Sequence, residues 1–279
     1  MRKIILQACL IAVWIPACKD DDDKKAEPPA CRITVERSNM MYDPVRWEYE
    51  YDDKGNPSRI RMFNERFNFV VYAVDVYYDG VIRTDADVVN PKTILKTSYD
   101  ADIFRARPSK ANLSITIGSH EQVNWKTFFF FYDSKGRVIK IGEQTDHLPD
   151  DYEWDLDITY NDDDNVTMLK YEWTTGPRDP IAPTTVAAYD DHPTPYAGVN
   201  SWKFLTAYFS WDNYDPEPIL TALSRNNPLD YKFGVGESTF ERKMAYEYNE
   251  HGFPTKRLIT NKNTQGEIHY EQTFQYDCP

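Results

Sequence analysis

Between Tyr189 and Asn213 the chain gathers aromatic faces and short polar groups: Tyr189, Asp190, Asp191, His192, Tyr196, Asn200, Trp202, Trp211 and Asn213. An aromatic face can stack on a sugar ring while carboxylates and amides hold its hydroxyls, so the set predicts a ligand cleft built on loops. The same segment supports a blander reading. Trp202, Leu205 and Phe209 recur at helical spacing and, with Leu220, could plug the hollow of a curved sheet as core. Signatures of catalysis are missing: there is no G-x-S-x-G, no H-E-x-x-H and no phosphate-binding glycine loop. With 45 acidic residues, two carboxylates could lie at glycosidase separation by chance, and sequence does not give that distance. Asp162, Asp164 and Asn165 offer oxygen ligands in a row, yet lack the glycine and bidentate glutamate of a calcium loop, and a solvated turn explains them equally. His120, His147, His192, His251 and His269 are dispersed. The chain is therefore read as a non-enzyme, with no catalytic residue, no metal and no cofactor predicted.

Whatever binds must be positioned by a sheet. Tyr51-Asp52-Asp53-Lys54-Gly55, Tyr132-Asp133-Ser134-Lys135-Gly136, Tyr248-Asn249-Glu250-His251-Gly252 and Asn263-Thr264-Gln265-Gly266 all carry Asp/Asn-x-x-Gly. Asp or Asn at the first position supports a type I turn through its side chain, and glycine at the fourth takes the left-handed conformation that closes a hairpin. Aromatic flanks such as WEYEY and FFFFY suit a pleated surface. The short spacing of the last two tips predicts an antiparallel meander in which sequence neighbours pair.

A fifth hairpin shows period-two alternation: Tyr152, Trp154, Leu156, Ile158 and Tyr160 on one face, Glu153, Asp155, Asp157 and Thr159 on the other. A loop over Asn161 to Asp164 would set Trp154 against Tyr171, Leu156 against Leu169 and Asp155 against Lys170. A one-residue slip would oppose apolar to charged faces, which rules it out. The acidic outer face also argues against lipid contact, because charges at mid-bilayer on a strand cost about 2–4 kcal/mol each for Lys or Arg.

From Thr174 to Gly234 the alternation stops and Pro177, Pro180, Pro183, Pro193, Pro195, Pro216, Pro218 and Pro228 appear. Proline is poorly tolerated inside sheets, so 174–234 reads as a cap insertion bearing two short helices, Trp202 to Phe209 and Ile219 to Leu223. The region from Asp75 to Gln122 shows no clear turn repeat.

The amino-terminal end is an address. Arg2 and Lys3 precede an apolar run from Ile4 to Ile15, too short to span a bilayer but long enough for a secretory signal over 1–17. Ile15-Pro16-Ala17-Cys18 resembles a bacterial lipobox, which implies that Cys18 is lipidated. Lys19-Asp20-Asp21-Asp22-Asp23 resembles the export signal of Bacteroidetes-type surface lipoproteins, with a passive solvated spacer or a cleavable purification tag as competing readings. Residues 18–30 are then an acidic tether, and 31–279 a single β domain of a size that sheets routinely reach. Net charge is −13 and pI near 4.9, opposite to the basic footprint that nucleic acid requires. Cys31 and Cys278 remain after the signal and the lipid are set aside, and are read as a disulfide staple, two buried free thiols being the alternative.

Tyr-Asp-x-x-Gly hairpins in series, the proline-rich insertion and the lipobox together resemble a Bacteroidetes family of unknown function with a porin-like fold and YD-repeat-like hairpins. That resemblance implies a mainly all-β chain: a meander of consecutive hairpins forming a curved sheet or open barrel, with no catalytic residues to carry over. The expected function is a lipid-anchored outer-membrane protein exposed on the cell surface that binds a glycan, peptide or other nutrient, beside an outer-membrane transporter. The alternatives are a structural or transporter-partner lipoprotein without a small ligand, and a hydrolase whose site has no readable motif.

Overall fold

The computed structural model describes residues 31–39, 43–78, 82–88, 93–99, 108–117, 120–145, 154–173, 182–197, 199, 216–235 and 238–279. The signal, Cys18, the Lys19 to Asp23 run and the Trp202 to Phe209 helix lie outside the described residues. Among the described residues the strands are β1 (Arg32–Ser38), β2 (Val45–Tyr51), β3 (Pro57–Asn64), β4 (Phe69–Tyr78), β5 (Ile82–Val88), β6 (Thr93–Tyr99), β7 (Lys110–Ile117) and β8 (His120–Tyr132). They continue through β9 (Val138–Thr145), β10 (Trp154–Tyr160), β11 (Val166–Trp173), β12 (Thr184–Pro193), β13 (Asn226–Val235), β14 (Ser238–Tyr248), β15 (Pro254–Asn263) and β16 (Gly266–Asp277). One helix, α1 (Glu217–Leu223), starts after Pro216 as the proline signal predicts.

Every strand pairs antiparallel with its sequence neighbours, and β1 pairs with both β2 and β16, so the pairing order runs full circle into a barrel. The meander is as expected, and the ring of pairing goes beyond an open sheet. One seam is barely joined: β11 and β12 pair only at Met168↔Thr185 and Leu169↔Thr184. Cys31, ahead of β1, and Cys278, beyond β16, form a disulfide across the closing seam, with Cα atoms 4.3 Å apart. In the chain-entropy model a loop this long contributes about 5 kcal/mol.

In a meander, alternate connections fall on alternate rims. The tips at 52–56, 133–137, 161–165 and 249–253, the segment between β12 and β13, and both chain ends therefore share one rim, here the terminal rim. Gly55, Gly136 and Gly252 have φ near +80°, as the turn chemistry predicts. The fourth motif differs: Asn263 pairs directly with Gly266, and its connection lies on the opposite rim. Its place is taken by Asn161 to Asn165, where Asp164 adopts φ +63 in the glycine position. The Asn161 N–H donates to the Asn165 carbonyl at 2.9 Å, as the Asp52 N–H does to Asn56 at 2.8 Å.

This five-residue tip corrects the predicted register of the β10–β11 hairpin. Leu156 opposes Tyr171, Ile158 opposes Leu169 and Asp157 opposes Lys170, while Tyr160 pairs with Val166 after a bulge. The shift is two residues from expectation, so apolar faces apolar as argued, but each partner moves along by one pleat. Outward, Arg59 meets Asp75 at 2.5 Å, Lys140 meets Asp155 at 2.6 Å and Lys256 meets Glu271 at 2.9 Å. Of these, the Lys140–Asp155 pair is the most buried, with Asp155 8% exposed, while surface pairs such as Arg59–Asp75 add little stability.

Strand β12 and all but the last residue of β13 lie inside the 174–234 stretch read as an insertion, leaving 194–225 as the connection between them. Pro228 is accommodated because the β12–β13 ladder shifts register next to it, at Ala188/Tyr189. Among the described residues one helix, not two, stands in this connection.

Inside the barrel, Ile33, Ile60, Val74, Phe128, Leu156, Leu169, Tyr231 and Ile259 form the core, and Ile219, Leu220 and Leu223 of α1 pack into it. Two polar groups are buried with them. Lys126 and Glu143 pair at 2.7 Å, with the Trp154 indole donating to Glu143 at 2.8 Å. Arg257, 1% exposed, donates to Glu217 of α1 at 2.5 Å and to Gln272.

Candidate functional site

Most copies of the YD pattern share a structural reason that the sequence does not disclose. A tyrosine near the end of each of six even-numbered strands donates its hydroxyl to a main-chain carbonyl near the start of the preceding strand. The pairs are Tyr51 to Ile33 at 2.5 Å, Tyr132 to Pro108 at 2.7 Å, Tyr160 to Val138 at 2.8 Å, Tyr246 to Pro228 at 3.0 Å, Tyr276 to Pro254 at 2.8 Å, and Tyr189 to Val166. At the 249–253 tip the motif tyrosine, Tyr248, donates to Asp190 instead, and Tyr246, two residues earlier, takes the shared role. Burial pushes the Tyr160, Tyr246 and Tyr276 phenols well above their ordinary value, so all three remain donors. These pegs stiffen the terminal rim and give the cleft described next a rigid frame.

The cleft, about 570 Å³, opens where β11 and β12 part. Beyond Leu169↔Thr184 and Met168↔Thr185 the ladder stops, and side chains stand in for strand pairing. The Val166 N–H donates to Ser224 Oγ at 3.1 Å, and the Val166 carbonyl accepts from Tyr189, whose hydroxyl also lies 3.1 Å from Ser224 Oγ. The floor is tied by a reciprocal amide pair: the Asn226 N–H donates to Asn165 Oδ1 at 2.8 Å, and Asn165 Nδ2 donates to Asn226 Oδ1 at 3.1 Å. The Arg225 N–H reaches the Asp164 carbonyl at 3.3 Å. One wall is the 161–165 tip, the other the β12 backbone from Val186 to Asp191.

The structure divides the predicted ligand set. Tyr189, Asp190 and Asp191 line the cleft. Asp190 is consumed by the fold: Oδ1 accepts the His192 N–H at 3.0 Å and the Asn227 N–H at 3.1 Å, and Oδ2 accepts from Asn227 Nδ2 and the Tyr248 hydroxyl. His192 stacks on Tyr248, ring centroids 3.9 Å apart. Tyr196 points the other way, into the barrel, donating to Glu36 at 2.7 Å. Asn200, Trp202, Trp211 and Asn213 lie outside the described residues. Asp162, Asp164 and Asn165 do not converge as calcium ligands: Asp164 binds Arg137 at 2.8 Å and Asn165 turns to Asn226.

Sequence reasoning missed Ser224, Arg225 and Asn226, and weighed Asn165 only as a calcium ligand. They come together across 61 residues in the Asn165–Asn226 pair, and no local spacing announces them. The charged groups exposed at the cleft are Asp163, Asp191 and Arg225, two carboxylates and one guanidinium, with the exposed Ala187 and Ala188 and the half-buried Tyr189 beside them. Such a surface can hydrogen-bond hydroxyls, amides or ionised termini of a polar ligand.

No protein-family model matches the chain, and no curated protein sequence matches it either. Solved structures do. A porin-like protein from Bacteroides uniformis superposes with a TM-score of 0.56 at 11% identity, covering 90% of this chain and 97% of its own. A porin-like protein from Bacteroides vulgatus superposes at 0.50 and 12% identity, covering 88% of this chain and 99% of its own. At such identities the likeness is one of fold, and it agrees with the porin-like architecture expected from the turn motifs.

Proposed function

We propose that this chain is a non-catalytic binding protein of the cell envelope, anchored through lipid on Cys18, displayed on the cell surface, and taking a polar extracellular ligand in the β11–β12 cleft. The carrying observation is the cleft itself: a ladder interrupted on a pegged rim, with Asp163, Asp191 and Arg225 exposed at its mouth. The mixed charge suits a glycan with an acidic or amino substituent, or a peptide, better than an apolar nutrient. A glycan and peptide array probed with the mature domain tests this. Retention of a ligand by wild type, lost in Asp191→Ala and Arg225→Ala, supports the reading, and retention of nothing counts against it.

A second reading, docking onto an outer-membrane transporter, draws support from one fact: the cleft opens on the rim where Cys31 enters the barrel, the side to which the tether joins. Co-purification of a defined membrane partner from native cells, unaffected by Asp191→Ala, would favour it. The address is tested separately. Cys18→Ala should release the protein from the membrane, and alanine at Asp20 to Asp23 should keep the anchor but reduce protease shaving of intact cells.

A further inference from the structure

At the closing seam the disulfide has a neighbour. The sulfurs of Cys31 and Cys278 and one imidazole nitrogen of His251 all lie within 4.8 Å of one another. Cys31 is fully buried, while Cys278 and His251 are half-buried. His251 stands at the third place of its tip, where the Asp52 and Asp133 tips carry Lys54 and Lys135. The exchange of lysine for histidine thus falls on the tip whose side chain meets the two sulfurs.

We propose that Cys31, Cys278 and His251 form a redox-gated site for zinc, closed while the cysteines are joined and opened when they are reduced. Two thiolates and one imidazole are a zinc donor set, with Zn–S near 2.3 Å and Zn–N near 2.0–2.1 Å. Those lengths put tetrahedral ligand atoms at about 3.5–3.8 Å from one another, so the imidazole stands within reach of both sulfurs, which must themselves part from bonding distance once the disulfide is reduced. Opening consumes one dithiol reductant: its two electrons and two protons convert the disulfide to two thiols, and the reductant leaves as its own disulfide. Zinc then displaces both thiol protons, and a water completes the fourth position. The ion would join β1, the end of β16 and the β14–β15 tip, so the seam held covalently in the oxidised chain is held by coordination in the reduced one.

The test uses the mature domain reduced with dithiothreitol and freed of it under anaerobic conditions. Cobalt titration should give thiolate-to-metal charge-transfer bands and the visible bands of a tetrahedral ion, saturating at one metal per chain, with zinc displacing cobalt. Oxidised protein should give none. His251→Lys, which copies the residue of the Lys54 and Lys135 tips and so preserves the turn, should weaken binding strongly, since even residues behind a metal ligand are worth about 10–100-fold. Absence of the charge-transfer bands in the reduced chain, or equal affinity in His251→Lys, overturns the proposal.

Discussion

The hydroxyl of Tyr160, at the end of β10, donates to the main-chain carbonyl of Val138, the first residue of β9, across 2.8 Å. The acceptor residue is buried, so removing the donor leaves a carbonyl that water does not reach. Tyr160→Phe should cost about 1–3 kcal/mol, the penalty for a buried acceptor left unmade. Urea denaturation measures it, and a change within error would mean that the pegs are incidental to the repeat.

Much of the fold is written locally and some of it is not. Glycine at positive φ and Asp or Asn capping its own turn mark three tips of the terminal rim, because turn chemistry needs only five residues to declare itself. Asp164 hides a fourth copy, since aspartate tolerates the left-handed region without announcing it. The Asn263 motif looks like a copy but turns at the opposite rim, where Asn263 pairs directly with Gly266. The β10–β11 register is legible in its face parity but not in its phase, which a bulge at the tip resets. Tyr196 shows the limit at the site: in a proline-rich stretch no periodicity tells whether a side chain faces a cleft or a core.

Asp164 offers a direct check on the hidden tip. Asp164→Gly should be tolerated, trading backbone relief against the lost Arg137 pair, whereas Asp164→Val places a β-branched residue at φ +63 and should cost about 1–3 kcal/mol. Equal stability of the two variants would contradict the turn assignment.

The pair between Glu217 and Arg257 fastens α1 into the barrel at 2.5 Å, with both residues buried. Glu217→Ala should destabilise by about 3–5 kcal/mol, because Arg257 and the buried Arg242, 3.7 Å from the same carboxylate, both keep their charge when it is removed. Replacing both by methionine should recover part of the loss in thermal melts. A double variant no better than the single one would show that the loss does not come from Arg257's charge.

Glu36 gives a pH dependence with a defined sign. Burial raises its carboxyl above the ordinary 4.5, only partly offset by the hydrogen bond from Tyr196 and the charge of Arg257. A carboxyl whose pKa rises on folding holds its proton more tightly in the folded chain. Its contribution is complete below the ordinary value and is lost as pH climbs through the raised one. Against Glu36→Gln, which does not titrate, wild-type stability should therefore fall as pH rises above about 4.5. Parallel curves for the two proteins would contradict the burial assigned to this group.

The central claim is that the parted β11–β12 seam binds ligand. Backbone amide spectra of the isotopically labelled mature domain, titrated with the glycan or peptide retained on the array, test it most directly. The account predicts shift changes clustered at Asn161 to Thr167, Val186 to Asp191 and Arg225 to Asn226, all abolished by Arg225→Ala. Changes clustered on any other face of the barrel, or unaltered in that variant, would contradict it.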